Sequence, residues 1–223
     1  MPELGKPIQP GDRAPEIVLD AITRQGKIAL DDFRGRNPVL VGLFRGLHCP
    51  FCRRHITAMS QLDPELRAKG VESLVVVNTP IERARLYFRY HPMPTMLAAA
   101  DPERASHRAF GLPNPQITDT ETAWPQRIGV DTAMAMRIDM PELPQPMDPF
   151  EAADFLDKKD GYEIMEADEQ MMATGRAQLV GQFLIDRDGI VRWSFTEVPD
   201  DGRRMFGAPT PQEVMSAASQ VAN

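Results

Sequence analysis

Both cysteines of this 223-residue chain fall in one short run, Arg45-Gly46-Leu47-His48-Cys49-Pro50-Phe51-Cys52-Arg53-Arg54-His55. A pair at this spacing can cycle between dithiol and disulfide if a helix begins at the first sulfur. Pro50 predicts that start, because at the first helical position its missing N–H costs nothing. Cys49 is then at or just before the cap and Cys52 lies one turn on, with Cα atoms roughly 5 to 5.5 Å apart, inside disulfide reach. The helix N-terminus favours a thiolate, and Arg45, Arg53 and Arg54 bring positive charge close by. Ile56 and Met59 follow Cys52 at helical spacing, which predicts Cys52 on the buried stripe and Cys49 at its exposed end. Cys49 is therefore the expected first contact for a thiol partner.

Other chemistry fits less well. His48 and His55 flank the cysteines and allow a metal site with Cys49 and Cys52, but the second distant pair of a structural zinc site is missing, so neither metal nor cofactor is expected. A c-type haem needs His directly after the second cysteine, where Arg53 stands. His91 and His107 fall in helical patterns and are expected at the surface or in packing.

Val39, Leu40, Val41, Leu43 and Phe44 form an apolar run of buried-strand type that feeds the cysteine turn. Residues 17–19 and 27–30 predict two strands around a Gly26 turn, and 72–78 a second buried strand, followed by a helix opened by Pro80. Residues 96–100 predict a third, parallel strand, with 102–110 helical. The cysteine helix is expected to run toward Lys69, bent or restarted at Pro64, and to end at Gly70. Strands alternating with helices define an α/β fold.

That alternation stops between Leu112 and Gln178, a stretch rich in Met, Pro and acid that is longer than an ordinary connection. Its apolar residues, Trp124, Ile128, Met134, Met136, Ile138, Met171 and Met172, predict an ordered insertion packed on the main sheet or on a second subunit, which allows a homodimer. Helical patterns occur around 150–156 and 164–172. Asp157-Lys158-Lys159-Asp160 reads as a solvated turn. Residues 179–186 and 190–195 then predict a hairpin around Arg187-Asp188-Gly189, and 211–221 a last helix. One domain over 1–223, with 112–177 packed on it, is the expected organisation.

A formal net charge of −7 argues against nucleic acid. No secretory h-region and no run approaching roughly 20 apolar residues is present, so the expectation is a cytoplasmic protein with no membrane partner. Two cysteines in one motif read as chemistry and not as secreted-type staples.

Phe44 to Cys52, the Asp101-Pro102 segment leading to Phe110-Gly111, and the hairpin Phe183-Leu184-Ile185-Asp186-Arg187-Asp188-Gly189-Ile190-Val191-Arg192 together resemble the peroxiredoxin-like AhpC/TSA, or redoxin, family. The resemblance covers roughly 11–111 and 178–222. It implies a thioredoxin-like α/β fold, a central mixed sheet flanked by helices, here with a long insertion before the C-terminal β-hairpin. It also implies reduction of a peroxide or protein disulfide, with an external thiol, thioredoxin- or glutathione-like, as reductant.

The family's Pro-x-x-x-Thr-x-x-Cys pattern puts Cys52 at the peroxidatic position, Cys49 at the threonine and Arg45 at the proline. Arg192 matches the arginine that those enzymes place beside the reactive sulfur, and the cis-proline usual in thioredoxins is missing from Leu179-Val180-Gly181. The expected catalytic set is Cys49, Cys52, Arg192 and Arg45, with Cys52 as the atom oxidised by peroxide. A thioredoxin-type exchanger using Cys49 is the alternative, and a thioredoxin-fold binding module with incidental cysteines the third.

Overall fold

The computed structural model describes residues 6–175, 177–198 and 205–221. In chain order these form β1 (Val18–Ala21), β2 (Lys27–Ala29), β3 (Val39–Phe44), α1 (Pro50–Ala68), β4 (Glu72–Val77), α2 (Ile81–Tyr90), β5 (Leu97–Ala100) and α3 (Ala105–Ala109). There follow β6 (Gln116–Thr118), β7 (Arg127–Gly129), α4 (Val130–Ala135), α5 (Pro149–Asp160), α6 (Glu166–Gly175), β8 (Gly181–Ile185), β9 (Val191–Thr196) and α7 (Pro211–Val221). Seven strands make one mixed sheet in the order β2-β1-β5-β4-β3-β8-β9. This is the expected thioredoxin-like α/β architecture, with the insertion before the C-terminal hairpin.

Every residue of β3 is buried, because parallel β4 lies on one side, antiparallel β8 on the other, and each face carries its own core. Val39, Val41 and Leu43 meet Phe33, Phe110 and Phe183 on one face. Leu40 and Phe44 meet Ile56, Met59 and the Val214, Ala217 and Ala218 stripe of α7 on the other. Gly42 leaves room for the Phe44 ring and for Met59 of α1, since a Cβ there would lie 2.5 Å from the ring and 3.1 Å from the Met59 sulfur.

Two expectations are corrected. The cysteine helix does not restart at Pro64, and α1 runs unbroken for 19 residues. Proline removes one intrahelical donor there. The buried Ile56, Met59 and Leu66 hold α1 on the sheet on either side of it, and Asp63 accepts a hydrogen bond from the Thr95 hydroxyl. The helix expected over 102–110 shrinks to α3, whose first amides are met from outside: Asp101 accepts from the N–H groups of Ala105, at 3.0 Å, and Ser106, at 2.8 Å.

The insertion is ordered around α5. Asp148 caps that helix by accepting from the N–H groups of Phe150 and Glu151, Pro149 takes the first position, and Gly161 ends it in the left-handed region at φ 61°. Such a cap and stop fix the helix ends. Asp157 and Asp160, expected in a solvated turn, instead form its last turn and face α1. Arg53 donates to Asp157 at 2.6 Å and to Asp160 at 2.8 Å, while Arg54 donates to Asp160 at 3.0 Å and to Glu142 at 3.1 Å. The Arg53 guanidinium also covers the Tyr162 ring at 4.1 Å. The insertion is thus clamped beside the cysteine turn. No helix among the described residues is long and apolar enough to cross a membrane.

Asp160 serves both arginines and is 29% exposed, so Asp160→Ala is expected to cost about 1 kcal/mol in denaturant unfolding. The same variant should speed alkylation of Cys49 by a bulky maleimide, which checks that the clamp holds the insertion down.

Candidate active site

The cysteine turn is tied from several sides. Cys49 N–H donates to the Gly46 carbonyl at 3.0 Å, Leu47 N–H donates to the Thr79 hydroxyl at 2.9 Å, and Arg53 donates to the Leu47 carbonyl at 2.8 Å. Gly46 has no room for a side chain, because a Cβ would lie 2.5 Å from the His48 ring and 2.9 Å from the Asn78 carbonyl. Cys49 is the cap of α1, with Pro50 next, and its Sγ accepts from the Cys52 N–H at 3.3 Å. Both cysteines are free thiols. A sulfur accepting a helix amide is stabilised as thiolate.

Behind the sulfurs sits Arg45, a fully buried cation. One guanidinium nitrogen reaches Cys49 Sγ at 3.9 Å and Cys52 Sγ at 3.8 Å. Another donates to Glu197 at 2.6 Å, and Phe206 lies under the guanidinium at 4.8 Å. Glu197 is itself fully buried and accepts further from the N–H groups of Val180, at 2.8 Å, and Phe206, at 2.7 Å. Burial pushes its carboxyl up, with Arg45 and the two amides pulling the other way. Three donors aimed at one carboxyl are the geometry of a carboxylate, and we read the pair as ionised. Burial also works against the Arg45 charge, but Glu197 and the two thiols outweigh it.

The two sulfurs differ. Burial pushes the Cys49 thiol up, but the Cys52 thiol hydrogen bond, the Arg45 charge and the Cys52 amide outweigh it and bring Cys49 to about 7. Cys52 is pushed well up by burial and by the hydrogen bond and charge of Cys49. Cys49 lines a cavity of about 250 Å³ under the insertion, walled by Ile128, Met136, Phe150 and Met172 and opening past Ile117 and Ile164. Cys52 has no exposed surface and lies outside that lining. Of the two sulfurs, Cys49 is thus the one that the cavity reaches.

Arg45, Cys49 and Cys52 come together as expected, and Arg192 does not join them. β9 pairs Val191 with Ile185, which lies opposite Val39 at the start of β3, whereas the cysteines follow the end of β3. Five strand steps, Val39 to Phe44, separate the two levels, about 17 Å. Arg192 is half exposed there and donates to Asp186 at 2.6 Å, bracing the hairpin turn. The charge assigned to it at the sulfur is supplied by Arg45. Glu197 was not foreseen; a lone acid just beyond a strand gives no signal of a buried partner 152 positions away.

Among the described residues no group of three or more His, Cys, Asp and Glu is placed to hold a metal ion. His55 is pushed down to about 4 by burial and by the Arg45 charge, partly offset by a hydrogen bond with the Phe206 backbone. It is a neutral packing group. So is His107, fully buried and pushed down to about 3, chiefly by burial. His91 stacks on Tyr87 with ring centroids 4.1 Å apart.

A mixed sheet with a Cys-x-x-Cys pair capping the helix after its central strand defines a thioredoxin-fold dithiol protein. A family model described as AhpC/TSA matches residues 10–138, and the chain belongs to the AhpC/TSA family. It is 26% identical over 123 residues to the 1-Cys peroxiredoxin PER1 of Triticum aestivum, an overlap of 52% of this chain and 56% of that protein, so it spans about half the length of this relative. Peroxidoxin BcpB from Mycobacterium tuberculosis has the same fold at 10% identity, covering 96% of this chain and 98% of its own with a TM-score of 0.57. The reduced 2-Cys peroxiredoxin of Plasmodium vivax superposes at 0.55 with 13% identity, covering 95% and 81%. At these identities the likeness is one of fold.

Buried ion pairs are tested by removing one partner or both. Glu197→Gln and Arg45→Met are each expected to cost about 3 to 5 kcal/mol, and the double variant clearly less than their sum. The pH profile of Cys49 alkylation should move upward in Arg45→Met and remain there in the double variant, separating stability from thiol acidity.

Proposed function

We propose that the protein is a thiol peroxidase in which Cys49 is the attacking thiolate and Cys52 resolves it. The observation that carries this reading is the seat of Cys49: a helix cap on the floor of an apolar cavity, beside a buried arginine. The thiolate attacks one oxygen of a hydroperoxide, so that an S–O bond forms as the O–O bond breaks and the leaving oxygen takes a proton. Arg45 sits fixed where negative charge moves from sulfur to oxygen, a preorganised electrostatic contribution. Cys52 then attacks the sulfenic sulfur; its proton leaves with the hydroxide as water, and the Cys49–Cys52 disulfide remains. An external thiol completes the cycle. Two free thiols in one motif suit a reducing compartment such as the cytoplasm.

The thioredoxin-type alternative shares Cys49 as nucleophile, but the overlying insertion disfavours it. A protein disulfide must present its own sulfur to a cysteine that is 5% exposed, whereas a peroxide is small enough to enter. An inert binding module has no need of a buried cation held between two sulfurs and a carboxylate.

Single-turnover oxidation decides between the sulfurs. Cys52→Ser should react with one equivalent of hydrogen peroxide and trap Cys49 as sulfenic acid in the mass spectrum, while Cys49→Ser reacts no faster than a free thiol. The reverse pattern returns the peroxidatic role to Cys52; failure of both removes the peroxidase reading. Because the thiolate is the reactive form, the Cys52→Ser rate should fall as pH drops through the lowered pKa of Cys49.

A further inference from the structure

We infer that the cavity over Cys49 receives the resetting reductant as a small, uncharged, apolar dithiol, and not as a redox protein. This deepens the proposed cycle and rests on it. Disulfide exchange needs the incoming sulfur in line with the bond it breaks. Cys52 has no exposed surface, so the attack falls on Cys49, and Cys49 is reached through the cavity. At about 250 Å³ the space sits at the small end of ligand pockets. The wall made by α5 is pinned to α1 by Arg53 and Arg54, which leaves no room for a folded partner beside Cys49.

The lining sets the chemistry of the guest. Ile117, Ile128, Met136, Phe150, Met172 and Phe51 offer apolar contact. Each charged group among the described lining residues is already paired: Arg45 with Glu197, Asp157 with Arg53, and Asp154 with Lys158. A carboxylate-bearing thiol therefore meets paired cations and two aspartates, and gains nothing from its charge.

A second thiol on the same molecule is required by the position of Cys52. The incoming thiolate forms a mixed disulfide with Cys49 and breaks the Cys49–Cys52 bond, and Cys52 leaves and takes a proton. Cys52 stays one helical turn away and can attack Cys49 again, expelling a monothiol and reversing the step. A dithiol escapes by closing on itself: its second thiolate attacks its own bound sulfur, forming a cyclic disulfide and releasing Cys49 as thiolate. Ring closure is intramolecular and competes with the return of Cys52. The dithiol is oxidised by two electrons, and the protein disulfide is reduced by two.

The test starts from protein oxidised with one equivalent of hydrogen peroxide, its disulfide verified by free-thiol count. Reduction is then followed without oxygen using dihydrolipoamide, an apolar uncharged dithiol; dithiothreitol, a polar uncharged one; glutathione; and thioredoxin kept reduced by its reductase. Corrected for thiolate fraction, dihydrolipoamide is expected to act about tenfold faster than dithiothreitol, a factor worth about 1.4 kcal/mol of apolar contact, with glutathione and thioredoxin slower than both. Met172→Lys should bring the ratio of the two dithiols toward one. Faster reduction by thioredoxin, or equal rates for the two dithiols in the unaltered protein, overturns the inference and leaves the disulfide cycle standing. If peroxide leaves both thiols free, the cycle itself fails and the inference falls with it.

Discussion

The Arg45 guanidinium is the constraint around which the site is built. A fully buried cation is tolerated only where it is paired and hydrogen-bonded, and Glu197 does both at 2.6 Å. Glu197 in turn ties together Val180, at the entry to β8, and Phe206, near the start of the last helix. One ion pair thus joins the end of β3, the C-terminal hairpin and the chain beyond it. Replacing such a pair by apolar residues is often neutral for stability, so stability alone does not account for it. Beyond Glu197 and the Phe206 ring its partners are the two sulfurs, and a fixed positive charge is what a thiolate needs and a thiol does not.

The insertion completes what the sheet and α1 begin. A thiolate on a bare helix cap is open to any oxidant or thiol, whereas α5, β7 and the turns around them turn the same cap into the floor of an apolar cavity. The clamp works at the foot of α1: Arg53 follows Cys52 directly, and its side chain holds both the Leu47 carbonyl of the cysteine turn and the aspartates of α5. The residues that shape the sulfur environment and those that fasten the overlying wall are therefore neighbours in sequence.

Much of this was legible in the sequence. β3, β4 and β8 are apolar runs, and the capping logic of Pro50 and Gly70 marked both ends of α1. The Cys-x-x-Cys spacing predicted the cap and a buried Cys52, but not that Cys49, expected at the exposed end, would be covered as well. What stayed hidden depends on tertiary partners. Arg45 is near the cysteines in one dimension already, but only the sheet register shows that Arg192 lies at the other end of β3. Asp157 and Asp160 carry the composition of a solvated turn, and they become a clamp because α5 comes to rest against Arg53 and Arg54. Pro64 predicted a break that core contacts on both sides of it prevent.

A thiolate held by Arg45 at Cys49 is what the site is built to provide. Direct titration of the thiolate by its ultraviolet absorbance, in folded Cys52→Ser protein so that one sulfur is observed, tests this without any substrate. A midpoint clearly below the ordinary thiol value of 9.0 is the result expected. A midpoint at or above that ordinary value would mean that burial prevails over the arginine and the helix amide together, and the electrostatic account of the site would be wrong.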